Sequence, residues 1–101
     1  MAEMFIKRND TKPPLYVTLA DGGVAVDLST ATVKFHMGTI VDSDAVVIDG
    51  TAGTVRYDWV AADTATAGCF PGEFEVTFAD GSIQTFPNDE NLTIIIPKDV
   101  A

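Results

Sequence analysis

Fifteen carboxylates stand against six basic side chains in 101 residues, so acid–base or cation chemistry is the first question this sequence raises. Asp42 with Asp44, Asp58, Asp63, and Asp89 with Glu90 are the candidate carboxylates. General acid–base catalysis needs two carboxyls in one cleft, with pKa values driven apart. These residues instead fall in turns or on the outer faces of alternating strands, where aspartate serves the backbone. Calcium would need several oxygens converging from one loop. Neither VDSDA (41–45) nor PNDENL (87–92) has the EF-hand spacing or its glycine. His36, the one histidine, is expected on an outward strand face beside Lys34 with no second ligand near it, so no metal site is expected. Cys69 is the one cysteine, which rules out an intrachain disulfide. Lying between Gly68 and Phe70, it is expected to be a buried structural thiol. Asn91-Leu92-Thr93 matches a glycosylation acceptor, which a protein kept in the cytoplasm does not use. No catalytic residue, cofactor or metal is expected.

The formal charge is −9, which repels phosphate backbones and anionic membranes and argues against nucleic-acid and membrane partners. Half the basic residues, Lys7, Arg8 and Lys12, lie in the first twelve positions. Such an arm could pair with an acidic neighbour, including another copy of the chain. The N-terminus has no apolar run long enough for a signal peptide, and stretches such as 94–97 fall far short of a membrane span. The length suits one domain over residues 1–101.

The elements that must position these side chains are strands, because the apolar period is two nearly everywhere. LYVTL (15–19) and VAVDL (24–28) read as a hairpin around Asp21, Gly22 and Gly23. Val33, Phe35 and Met37 share one face, and so do Val55, Tyr57 and Trp59. VDSD (41–44) reads as a loop and AVVID (45–49) as a short strand. The alanine-rich stretch at residues 60–66 allows one short helical turn. About eight strands at short, even spacing predict an all-β fold, a two-sheet antiparallel β-sandwich.

FEVTFADGSIQTFPND (74–89) predicts a hairpin that turns at Asp80-Gly81. A two-residue loop there pairs Phe78 with Ile83 and puts Phe86 opposite Glu75, on the wet face. Ile95 lies between Ile94 and Ile96, which makes that strand apolar on both faces and in need of cover on both. Phe86 and Ile95 are therefore candidates for an interface patch, with Phe5 and Tyr16 as neighbours and Lys7 and Arg8 as its charged arm. The alternative for Phe86 is a bulge near Pro87 that returns it to the core.

Three stretches carry a family likeness: FIKRNDTKPPLYVTLADGGVAVDLSTATVKFHM (5–37), GTVRYDW (53–59) with DTATAG (63–68), and GEFEVTFADGSIQTFPND (72–89). As an ordered set they resemble the N-terminal immunoglobulin-like domain of phage baseplate upper proteins. The resemblance implies an immunoglobulin-like sandwich. It also implies a non-enzymatic, homo-oligomeric structural protein of a tailed-phage virion, assembled in the bacterial cytoplasm and docking on other virion proteins at the tail tip or baseplate. In that family the domain usually opens a longer protein, so this chain is expected to be a freestanding docking module. DTATAGCF also resembles the aspartate-threonine-alanine corner of immunoglobulin domains, without the tyrosine that makes its hydrogen bond. Rival readings are a capsid decoration or head-fibre protein and a carbohydrate-binding module that uses Phe86 and Trp59.

Overall fold

The structure is a computed structural model and describes residues 2–87 and 92–98. Asp89, Glu90 and the acceptor Asn91 lie outside the described residues. The strands are β1 (Ala2–Phe5), β2 (Leu15–Thr18), β3 (Ala20–Asp21), β4 (Val24–Ala25), β5 (Thr32–Met37) and β6 (Val41–Asp44). They continue as β7 (Val46–Asp49), β8 (Thr54–Tyr57), β9 (Gly68–Thr77), β10 (Ile83–Phe86) and β11 (Leu92–Ile96). A 3-10 turn over Ala61–Thr64 occupies the expected helical stretch.

The fold is all-β. The larger sheet runs β1-β11-β9-β5-β6, with β10 also on β9; the smaller runs β2-β8-β7; β3 and β4 make a two-stranded ribbon. β9 takes β5 along one edge and β10 and β11 in succession along the other. Between the pairs Phe86–Phe74 and Leu92–Gly72 the β10–β11 side advances six positions and β9 only two. Pro87 stands at that break, where its missing N–H costs the ladder nothing.

Strand alternation builds the core. Val33, Phe35 and Met37 of β5, Phe74 and Val76 of β9 and Ile94 and Ile96 of β11 are buried, as are Val55, Tyr57 and Trp59 from the smaller sheet and its continuation. Rings join the two sheets at Phe35, which lies 4.7 Å from Tyr57 and, edge to face, 5.7 Å from Trp59; its own neighbour Phe74 on β9 is 5.0 Å away. Such pairs add about 0.5–1.5 kcal/mol each beyond area burial.

Four expectations are corrected. LYVTL does not pair with VAVDL along its length; β2 pairs with β8, and Val24 is 70% exposed. VDSD is a strand, because an edge position lets Asp42 and Asp44 face water while His36 and Lys34 lie opposite them. Cys69 is exposed, since the even-numbered residues of β9 point inward. The hairpin loop of β9 and β10 has three residues, with Ile83 opposite Thr77 and Phe86 opposite Phe74. Phe78 N–H bonds the Ser82 carbonyl and Gly81 N–H the Phe78 carbonyl, with Gly81 at φ +87°. A glycine at positive φ closing a three-residue loop is a favoured hairpin geometry. One residue of slip moves every side chain to the other face, so Phe86 is core, 2% exposed.

Candidate interaction surfaces

The residues of the expected patch divide among four places. Phe86 is in the core and meets no solvent. Phe5 and Ile95 are direct neighbours in the parallel pairing of β1 with β11, and Ile95 in turn pairs with Cys69 of β9. Leu92, Ile94 and Ile96 take the inner face of β11, which turns Ile95 outward and leaves it half-covered. Phe5 is 64% exposed at the end of this row. The row Phe5–Ile95–Cys69 is thus an apolar stripe on the outer face of the larger sheet. Lys7 lies exposed just beyond it.

The other half of that face is charged. His36 Nδ1 is 3.5 Å from Asp42, its Nε2 is 3.9 Å from Glu75, and Lys34 Nζ is 3.7 Å from Asp42. These exposed pairs contribute little stability individually. They do give the outer face two chemically different halves, one apolar and one acidic.

Tyr16 sits on the smaller sheet, apart from Phe5 and Ile95, and is 62% exposed. Its row is Tyr16–Arg56–Val46, and Ile48 lies further along β7. Val46 and Ile48 are 42% and 49% exposed. Arg56 is held by its own Asp58, with Nε 2.9 Å and Nη2 3.2 Å from the two carboxylate oxygens. This second apolar face was not anticipated. Its signal was available, because VVI, like III, is apolar at every position and so cannot be inward on one face alone.

Arg8 faces a loop. Its Nε donates to the Ala65 carbonyl at 3.0 Å. Asn9 N–H bonds the Thr64 carbonyl, and the buried Thr64 hydroxyl donates to the Asp10 carbonyl at 2.9 Å. Arg8 therefore helps tie the N-terminal segment to the 3-10 turn. Beneath it, the Tyr57 hydroxyl donates to Asp63 at 2.6 Å, and Asp63 also accepts the Val60 N–H at 3.0 Å. Burial, then the hydrogen bond to Asp63, holds the Tyr57 phenol well above its ordinary range. This bond ties the 3-10 turn to the preceding strand through two side chains, unlike the phenol-to-backbone bond of a tyrosine corner.

Trp59 is 4% exposed, so with Phe86 also buried the two aromatics offer no sugar platform. Among the described residues no group of three or more His, Cys, Asp or Glu is placed to hold a metal, and no helix is long and apolar enough to cross a membrane. No family model matches the chain, and no curated protein matches it at a significant level.

Proposed function

We propose that this chain is an immunoglobulin-like sandwich that acts by docking, as a non-enzymatic structural component of a tailed-phage virion at the tail tip or baseplate. The strand order supports the fold reading. β2-β8-β7 facing β11-β9-β5-β6 has the connectivity of the B-E-D and G-F-C-C′ sheets of such sandwiches, with β1 in parallel beside the last strand. The resemblance to baseplate upper proteins supplies the setting. Its motif residues Tyr57, Trp59, Asp63, Thr64 and Phe86 are all buried, so they speak for the fold and leave the partner to the surface.

The observation that carries docking is the Phe5–Ile95–Cys69 stripe. A strand that is apolar on both faces, in a sheet with one face open, asks for outside cover. Heads and tails separated from the particle and read by mass spectrometry test the reading. The chain in the tail fraction supports it. The chain in heads favours a decoration or fibre protein, and absence from both refutes a virion role. Within an assembled tail, Phe5→Asp is expected to reduce incorporation while leaving the free chain folded.

A further inference from the structure

The outer face of the larger sheet carries more than its apolar stripe. Strand alternation sends Glu3 of β1, Thr93 of β11 and Pro71 and Glu73 of β9 to the same side as Phe5, Ile95 and Cys69. Beside the stripe lies a cleft of about 300 Å³, lined by Cys69, Pro71, Glu73, Pro87, Leu92 and Thr93. It opens where β9 changes partners. β10 stops at the Phe86–Phe74 pair, β11 begins at the Leu92–Gly72 pair, and Glu73 stands between them.

The cleft has a chemistry of its own. Two prolines and a leucine wall it, and Glu73 is the one charged group in its lining. A lysine or arginine side chain is built to match, with an apolar stem and a cationic head. Charge on the rest of the face points to the same class. Glu3, Asp42, Asp44, Glu73 and Glu75 stand there against Lys34 and His36. Lys34 and His36 are already met by Asp42 and Glu75. Among the described residues Glu3 and Glu73 have no ion pair.

We propose that the partner docking on this face is a basic protein segment. Its apolar side chains cover Phe5 and Ile95, and a lysine or arginine beside them enters the cleft, where the Glu73 carboxylate accepts its N–H bonds. Charge complementarity selects this occupant. A second copy brings a net charge of −9 to a face already rich in carboxylate, and nucleic acid or an anionic membrane brings phosphate. The inference rests on the docking reading above and names the chemistry of the partner at that same stripe.

NMR titration of the isotope-labelled chain with a synthetic peptide that alternates leucine with arginine tests it, against a peptide that alternates leucine with glutamate. The arginine peptide is expected to shift the Phe5, Ile95, Cys69 and Glu73 amides, and the glutamate peptide to leave them alone. Glu73→Lys weakens binding by about tenfold or more, because like charges in a covered contact repel. Glu73→Gln weakens it by up to about fivefold, the loss of one ion pair. Glu73 is exposed, so both variants keep the fold. Asp80→Asn removes the same charge in the hairpin loop beyond the other end of β9 and leaves binding unchanged. No binding of the arginine peptide up to about 1 mM overturns the proposal. So does equal binding of the two peptides, a loss in Asp80→Asn that matches Glu73→Gln, or shifts centred on Tyr16 and Ile48 of the smaller sheet. Each of these outcomes leaves the docking reading standing, because the tail fraction and Phe5→Asp test that reading separately.

Discussion

Of the three Asp-Gly dipeptides, Asp49-Gly50 opens the β7–β8 loop, and the other two turn the chain in hairpins that differ. In the β3–β4 ribbon, Asp21 is still in the ladder opposite Val24, and Gly22 and Gly23 form a two-residue loop with φ of +60° and +82°. In the β9–β10 hairpin, Ala79, Asp80 and Gly81 form a three-residue loop, and only Gly81 has positive φ. The first ribbon has two pairs and exposed side chains throughout. The second carries Phe86 into the core. The dipeptide signals a turn in both places but sets the register in neither. The second glycine sets it in one. In the other, register follows from what the strand beyond has to bury.

The largest expected effect sharpens this contrast directly. Phe86→Ala should destabilise the chain by about 3–5 kcal/mol, the range for truncating a buried aromatic. Val24→Ala in the other ribbon should stay within about 0.5 kcal/mol, as exposed substitutions do. Urea unfolding followed by tryptophan fluorescence reads both, since Trp59 is buried near the same core. Equal effects would mean that the two ribbons are coupled to the core alike.

The 3-10 turn gives a third term, a loop tied to the core by a side chain instead of by register. Tyr57→Phe leaves Asp63 buried with one partner fewer and should cost about 1–3 kcal/mol. It should also remove a pH dependence. In the folded chain Tyr57 keeps its proton past its ordinary value of 10.0, while the unfolded chain releases it there. Above about pH 10 the native state therefore holds one more proton. Its stability falls with rising pH by up to about 1.4 kcal/mol per unit. Denaturant melts between pH 9 and 11 should show that slope in the parent and a shallower one in Tyr57→Phe.

A smaller effect separates the turns themselves. No atom lies within 4 Å of a Cβ placed at Gly23 or Gly81, so a side chain there meets backbone strain alone. That strain is about 1–2 kcal/mol for a residue forced into the left-handed region. Gly81→Val should express it fully, because opening that loop pulls Phe86 from the core. Gly23→Val should cost the whole chain less, since a two-pair ribbon can open locally. Comparing the urea midpoints of the two variants decides this, and a larger loss from Gly23→Val would reverse the ranking.

What was legible in the sequence was local. Alternation alone identifies Val33, Phe35, Met37, Val55, Tyr57, Phe74 and Val76 as inward, because a strand's period does not depend on its neighbours. Ile95 was legible as an outward apolar residue by the same rule, and Phe5 as its companion. What depends on partners was hidden. VDSD looks like a loop until Lys34 and His36 stand across from it. LYVTL looks like half a hairpin until Val55 and Tyr57 take its partner's place. Whether Phe86 faces water or core stays open in the sequence because loop length, two residues or three, does not follow from Asp-Gly.

The smallest effect tests the second loop at its most exposed point. Asp80 accepts hydrogen bonds from the Ser82 hydroxyl at 2.6 Å and the Ser82 N–H at 2.9 Å. Both bonds favour the ionised carboxylate and hold its pKa below the ordinary value of 3.8. The unfolded chain therefore takes up this proton first as pH falls. The loop's contribution is complete above pH 3.8 and is lost as pH drops from there through the lower folded value. Asp27 makes the same arrangement with Ser29 just after β4: the Ser29 side chain first, and then its N–H at 2.9 Å, lower the Asp27 pKa. Carboxyl carbon shifts followed by NMR should place both titrations below 3.8. Ser82→Ala should raise only that of Asp80, and Ser29→Ala only that of Asp27. The two loops part at the next step. Ser82→Ala should weaken the hairpin that seats Phe86, so slow exchange at the Phe78 and Gly81 amides should quicken. Ser29→Ala should leave those amides alone. If either substitution moves both carboxyls, the loops communicate, and the division of this molecule into a core-coupled hairpin and an independent ribbon does not hold.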